Sequence, residues 1–165
     1  MIQRVQTIFL FLLALSMVLV ALFPLWSQVN PSQTEQVMLT AWTLTVTTIG
    51  VAEISESAGV VSQSSTAYLG FLAVVSGLLA LYSLSQFKDR KRQMMLNMIN
   101  SLIMVIILGA TVYLSITAND AIGGRDTGAF MLGFYAIVLA MLMNLLANRF
   151  IRKDEMLVRS VDRIR

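Results

Sequence analysis

Charged residues are absent from four long stretches of the chain: between Arg4 and Glu35, Glu56 and Lys88, Arg92 and Asp120, and Asp126 and Arg149. Within them, apolar runs at about 7–26, 66–87, 94–116 and 129–148 each reach the roughly 20 residues that a helix needs to cross a hydrocarbon core of about 30 Å. A helix also satisfies its own backbone hydrogen bonds, as a lipid solvent demands. The pattern predicts four membrane-spanning helices. The first run follows basic Arg4 as a secretory signal would, but it is too long and no small-x-small cleavage pattern follows. Phe23-Pro24-Leu25-Trp26 instead closes it with a helix-stopping Pro and a Trp suited to headgroup level, so it is read as an uncleaved anchor.

The only sizeable connection between spans covers 27–65. Thr40, Thr43, Thr45, Thr47 and Thr48 stand there among Val, Leu, Ile and Trp42. Met38, Thr40, Trp42, Leu44 and Val46 alternate along one side, as in a half-buried strand. Asn30-Pro31 and Ser55-Glu56-Ser57-Ala58-Gly59 read as turns, and Gly59-Val60-Val61-Ser62 as a returning strand. The expectation is a small hairpin resting on the helix ends, with a re-entrant segment as the competing reading. The segment from Lys88 to Gln93 allows only a tight turn between antiparallel helices. Gly123-Gly124-Arg125-Asp126-Thr127-Gly128 reads as a flexible loop; it lacks the Lys-Ser/Thr and the preceding strand of a phosphate loop.

Composition agrees with a lipid solvent. Of 165 residues 57% are apolar and 13% charged, and the mean hydropathy is +0.76; an ordinary soluble domain carries about 25% charged residues. The length fits a single membrane domain. With no Cys and no His, disulfides, thiol chemistry and the commonest metal ligand are excluded. No cofactor or metal is expected. Eleven of the twelve basic residues fall at Arg4, in the turn Lys88-Asp89-Arg90-Lys91-Arg92, or from Arg149 onward. Arg125 alone lies on the other side, with Glu35, Glu53, Glu56, Asp120 and Asp126. By this asymmetry both termini are cytoplasmic and the protein is a multi-pass inner-membrane protein. The basic residues come with no recognition motif, so nucleic acid is not an expected partner.

The tail 149–165 pairs Glu155 with Arg159 and Arg159 with Asp162 at helical spacing and places Leu157, Val158, Val161 and Ile164 on one face. It reads as a cytoplasmic amphipathic helix at headgroup level, or else as a solvated extension of span four. Lys88, Arg90, Lys91, Arg92, Arg149, Arg152, Lys153 and Arg159 are the candidates for contact with lipid headgroups or a partner.

No ionisable residue falls within a span, so the usual marker of a proton or ion path is missing. Small residues form stripes instead: Gly70, Ala73, Gly77, Ala80 and Ser83 in span two, and Gly133, Ala136, Ala140, Asn144 and Ala147 in span four. Such stripes let helix backbones approach closely. Span three carries Asn97, Asn100, Ser101, Met104, Leu108, Thr111 and Ser115 along one face. Asn97, Asn100, Ser101 and Asn144 form a candidate polar layer between helices, serving as packing glue or as contacts for a small ligand.

Met1-Ile2-Gln3-Arg4-Val5-Gln6-Thr7, the turn Phe87-Lys88-Asp89-Arg90-Lys91-Arg92-Gln93, and the closing run from Asn148 through Arg152-Lys153-Asp154-Glu155-Met156-Leu157-Val158-Arg159-Ser160-Val161-Asp162-Arg163-Ile164-Arg165 are distinctive. In these the chain resembles a Bacteroidetes family of integral membrane proteins labelled only as a domain of unknown function. The resemblance covers the whole chain and implies a four-span inner-membrane protein, without supplying an activity, cofactor or catalytic residue.

The fold expected from the sequence is therefore membrane all-α: an antiparallel four-helix transmembrane bundle with a small extracytoplasmic β-hairpin-like loop and a C-terminal cytoplasmic amphipathic helix. The expected function is a non-catalytic accessory, scaffold or regulatory membrane subunit, with membrane lipids and a protein partner or second copy as its contacts. The alternative is a small channel, transporter or lipid-handling protein using the neutral polar layer. Glu53 and Glu56 are closely spaced carboxylates of the external loop, but nothing in the sequence holds them for acid–base work, so no enzymatic activity is expected.

Overall fold

A computed structural model of the chain describes residues 2–49, 60–86, 89–123 and 128–162, with side chains described within 6–157. Four helices, α1 (Ile2–Leu22), α2 (Ala67–Ser85), α3 (Arg90–Ala121) and α4 (Leu132–Asp162), pack side by side. Five strands gather at one end: β1 (Trp26–Val29), β2 (Glu35–Leu39), β3 (Thr43–Thr48), β4 (Val60–Ser65) and β5 (Ala129–Phe130). They form a single antiparallel sheet in the order β4-β3-β2-β1-β5.

This sheet corrects the all-α reading. The Thr-rich segment is two strands, because the chain reverses at Ala41 and Trp42. The Thr40 hydroxyl holds the reversal, accepting from the Thr43 amide at 2.9 Å and donating to the Thr43 carbonyl at 2.9 Å. The reversal shifts the alternation: Leu39 pairs with Leu44 and Val37 with Val46, and Val37 and Leu39 are buried. Met38 therefore lies on the other face from Leu44. The fifth strand comes from residues expected to open the fourth span; Phe130 pairs with Trp26 and Ala129 with Ser27. The two flanking turns differ, since Asn30 caps its turn by accepting from the Thr34 and Glu35 amides, whereas residues 55–59 lie outside the described segments.

Helix ends follow local chemistry. Pro24 stops α1 after Leu22, as its missing N–H and its effect on the preceding residue require. Trp26, expected at headgroup level, is instead fully buried at the start of β1. Asp89 caps α3 by accepting from the Arg92 amide at 3.2 Å. Helix α4 runs unbroken to Asp162, because no Gly or Pro follows Gly133 to interrupt it; the tail is thus an extension of this helix and not a separate one. Among the described residues three helical segments are long and apolar enough to cross a membrane: Ala67–Ser85, Arg90–Ala121 and Leu132–Leu157. The apolar part described for α1, Gln6–Leu22, is shorter, so three segments meet that length where four were expected.

The small-residue stripes lie inside. Ala73, Ala80 and Ser83 of α2 are buried, as are Ala136, Ala140, Asn144 and Ala147 of α4. Large apolar side chains point outward, among them Phe11 of α1, Phe71 and Leu78 of α2, Leu102 of α3 and Leu145 of α4, each more than half exposed. Where Ala14, Ala21, Ala73 and Gly77 leave space, an apolar groove of about 420 Å³ opens between α1 and α2.

Candidate functional site

The hairpin tip between β2 and β3 locks the sheet to the bundle. Every helix begins with amides that have no intrahelical acceptor. At α2 these donors meet the tip: the Thr66 amide donates to the Trp42 carbonyl at 2.9 Å and the Gly70 amide to the Ala41 carbonyl at 2.8 Å. The Thr66 hydroxyl donates to the Thr40 carbonyl at 3.1 Å and makes no cap for its own helix. The Trp42 indole N–H donates to the Ala21 carbonyl near the end of α1 at 2.8 Å. Its ring lies on Gly70, where an added Cβ would stand 2.6 Å from ring carbon Cε3.

Toward the other end, amides and hydroxyls link three helices. From α2, the Ser76 hydroxyl donates to Asn100 Oδ1 at 2.6 Å and the Ser83 hydroxyl to Asn97 Oδ1 at 2.7 Å. Asn97 Nδ2 donates to Asn148 Oδ1 of α4 at 3.1 Å. Asn144 Nδ2 donates to the Asn97 carbonyl at 2.8 Å and to the Ser101 hydroxyl at 2.6 Å. The structure thus brings buried Asn97, Asn100 and Asn144 together with half-buried Ser101 in one layer. Asn100 and Asn144 do not bond to each other; each reaches a different neighbour.

Sequence reasoning missed Ser76, Asn148, Gln93 and Gln6. Gln93 falls in the segment that reads as a turn, yet it continues the buried face Gln93, Asn97, Asn100, Met104, Ile107 and Thr111 at steps of three and four. That spacing was the available signal. Gln6 Oε1, Gln93 Oε1, Asn100 Nδ2 and Asn144 Oδ1 are buried and have no hydrogen-bond partner. All buried polar side chains among the described residues are neutral. No group of three or more metal-ligating side chains comes together among the described residues.

The basic candidates separate by environment. Arg90 bridges α3 to α4: its Nη2 lies 2.9 Å from Asp154 Oδ2, and its Nη1 donates to the Asp154 carbonyl at 3.2 Å. Arg92 pairs with Asp89 at 3.0 Å on the surface. Lys91, Arg149, Arg152 and Lys153 are exposed. Lys88 lies outside the described residues, as does the side chain of Arg159, and so do Glu53, Glu56 and Arg125.

An apolar-faced helical assembly with a neutral polar interior and an antiparallel sheet at one end defines a class of membrane-capable helical protein. The chain belongs to the family described as a domain of unknown function, DUF4293, which matches residues 2–164. No curated protein matches it significantly.

Proposed function

We propose that the protein is a multi-pass inner-membrane protein with both termini cytoplasmic, acting as a non-catalytic accessory, scaffold or regulatory subunit. The carrying observation is the inverted partition of its side chains: Ser76, Ser83, Asn97, Thr111 and Asn144 are fully buried, while Phe71, Leu78, Leu102 and Leu145 face outward. In water such a surface would be an aggregation liability; in lipid it is the expected one. The polar layer supports a structural role, since all five of the side-chain bonds that form it join one helix to another. The α1 anchor, although its described apolar part is shorter, is read as the fourth crossing. Purification of the full chain in mild detergent, with companions identified by mass spectrometry, tests the reading. A stable stoichiometric companion is expected; a monodisperse monomer without one overturns it.

A second reading, a small channel, transporter or lipid-handling protein, is favoured by the buried amide atoms left without partners. Such atoms carry a desolvation cost of about 1–3 kcal/mol each unless water or a ligand meets them. A combined Asn97→Leu, Asn100→Leu, Asn144→Leu variant that keeps wild-type solute flux and lipid occupancy in vesicles would reject this reading.

A further inference from the structure

On α4 an apolar stripe runs directly into a basic one. Val138, Leu142, Leu145, Arg149 and Arg152 follow one another at steps of four, three, four and three, which places them along one helix face. Leu142 and Leu145 are 51% and 61% exposed, and Arg149, Arg152 and Lys153 are exposed as well. Around Arg149, Arg152 and Lys153 the surface forms a groove of about 770 Å³, whose apolar walls include Phe150 and Met156. The Phe150 ring is fixed by stacking on Phe9 of α1, with ring centroids 5.4 Å apart. Among the described residues Arg149, Arg152 and Lys153 make no ion pair, whereas Arg90 and Arg92 each have a carboxylate partner. Asp154, adjacent in sequence, is committed to Arg90.

We propose that this groove is a binding site for an anionic phospholipid of the surrounding bilayer. The phosphate sits among Arg149, Arg152 and Lys153, and an acyl chain lies along Leu145, Leu142 and Val138. The inference rests on the membrane reading above. Charge alone would suit any phosphate, but the continuous apolar stripe selects an amphiphile whose polar and apolar parts meet at one depth. Guanidinium groups suit this role because they donate to phosphate oxygens in a bidentate fork.

The test uses the full chain in detergent micelles, with retained lipid measured by native mass spectrometry after incubation with equal phosphatidylglycerol and phosphatidylcholine. Wild type is expected to retain phosphatidylglycerol preferentially. Each cation near an anionic lipid is expected to contribute about a fivefold preference, so Arg149→Gln/Arg152→Gln should lower the preference about 25-fold. Lys91→Gln/Arg92→Gln removes the same number of cations from the same end and should leave it largely unchanged. Equal loss in both variants, or no loss in either, overturns the site. Displacement of bound lipid by inorganic phosphate as effectively as by short-chain phosphatidylglycerol also overturns it, because the site would then be an anion site only. If the groove variant is poorly folded, Arg152→Gln alone should show the fivefold step, and its absence counts against the proposal. Extraction of the wild-type chain from native membranes by alkaline carbonate would refute the membrane reading itself. Resistance to carbonate without a lipid preference refutes only the site.

Discussion

Gly70 and Trp42 are separated by almost thirty residues, yet they meet closely where the hairpin tip rests on the bundle. A Cβ at position 70 would lie 2.6–2.8 Å from three ring atoms of Trp42. The indole cannot simply withdraw, because its N–H is tied to the Ala21 carbonyl and the Trp42 backbone carbonyl accepts from the Thr66 amide. Gly70→Ala is therefore expected to destabilise the protein by about 1–3 kcal/mol, the cost of overpacking a closely fitted site. Thermal unfolding in detergent checks this, and Trp42→Ala in the same chain should absorb most of the added penalty, because the two changes share one contact. An additive double variant would show that Trp42 is not what limits position 70. The small-residue spacing made Gly70 legible as a packing position. Its partner was not legible, because one sequence does not reveal which distant ring fills the space.

Among the elements, legibility depended on whether a local rule decided the outcome. Pro24 stops α1 through its own backbone chemistry, and the apolar stretches of α2, α3 and α4 followed from uninterrupted apolar runs; the start of α3, capped by the Asp89 side chain, lies inside the segment that reads as a turn. The sheet depended on pairing between distant segments. Ala129 and Phe130 look like the opening of an apolar helix until β1 supplies a strand edge for them. The hairpin reversal at Ala41 and Trp42 contains neither Gly nor Pro, and the Thr40 side chain supplies the hydrogen bonds that a turn residue ordinarily would. The extension of α4 is local in origin, since no Gly or Pro interrupts it, but its docking is tertiary: Arg90 fastens it to α3 through both the Asp154 carboxylate and the Asp154 carbonyl. Arg90→Gln removes the ion pair and weakens the second bond. We expect amide hydrogen exchange over 153–157 to accelerate about fivefold, corresponding to about 1 kcal/mol for a partly exposed charged pair. Exchange over 136–147, within the bundle, should not change; acceleration spread evenly along α4 would count against a local fastening.

For the whole molecule, the inverted partition of side chains and the sidedness of charge point to the same arrangement by independent routes. Neutral polar groups occupy the interior, where Ser76, Ser83, Asn97, Asn100 and Asn144 bond between helices, and apolar side chains occupy the exterior. The sheet lies at the end where α1 stops and α2 and α4 begin, while Arg90, Lys91, Arg92, Arg149, Arg152 and Lys153 lie toward the other. The positive side should therefore be cytoplasmic and the sheet extracytoplasmic. Because the chain has no Cys, single substitutions report their side without a background signal. Ser32→Cys, on the exposed connection between β1 and β2, should react with a membrane-impermeant maleimide in intact cells. Lys91→Cys should react only after permeabilisation, because α2 alone lies between it and the sheet. Gln3→Cys should behave like Lys91→Cys if α1 crosses despite its shorter described apolar stretch. Reaction of Ser32→Cys and Lys91→Cys from the same side would mean that α2 does not cross. Reaction of Gln3→Cys in intact cells, with the other two as expected, would reduce the number of crossings to three and leave α1 on the side of the sheet.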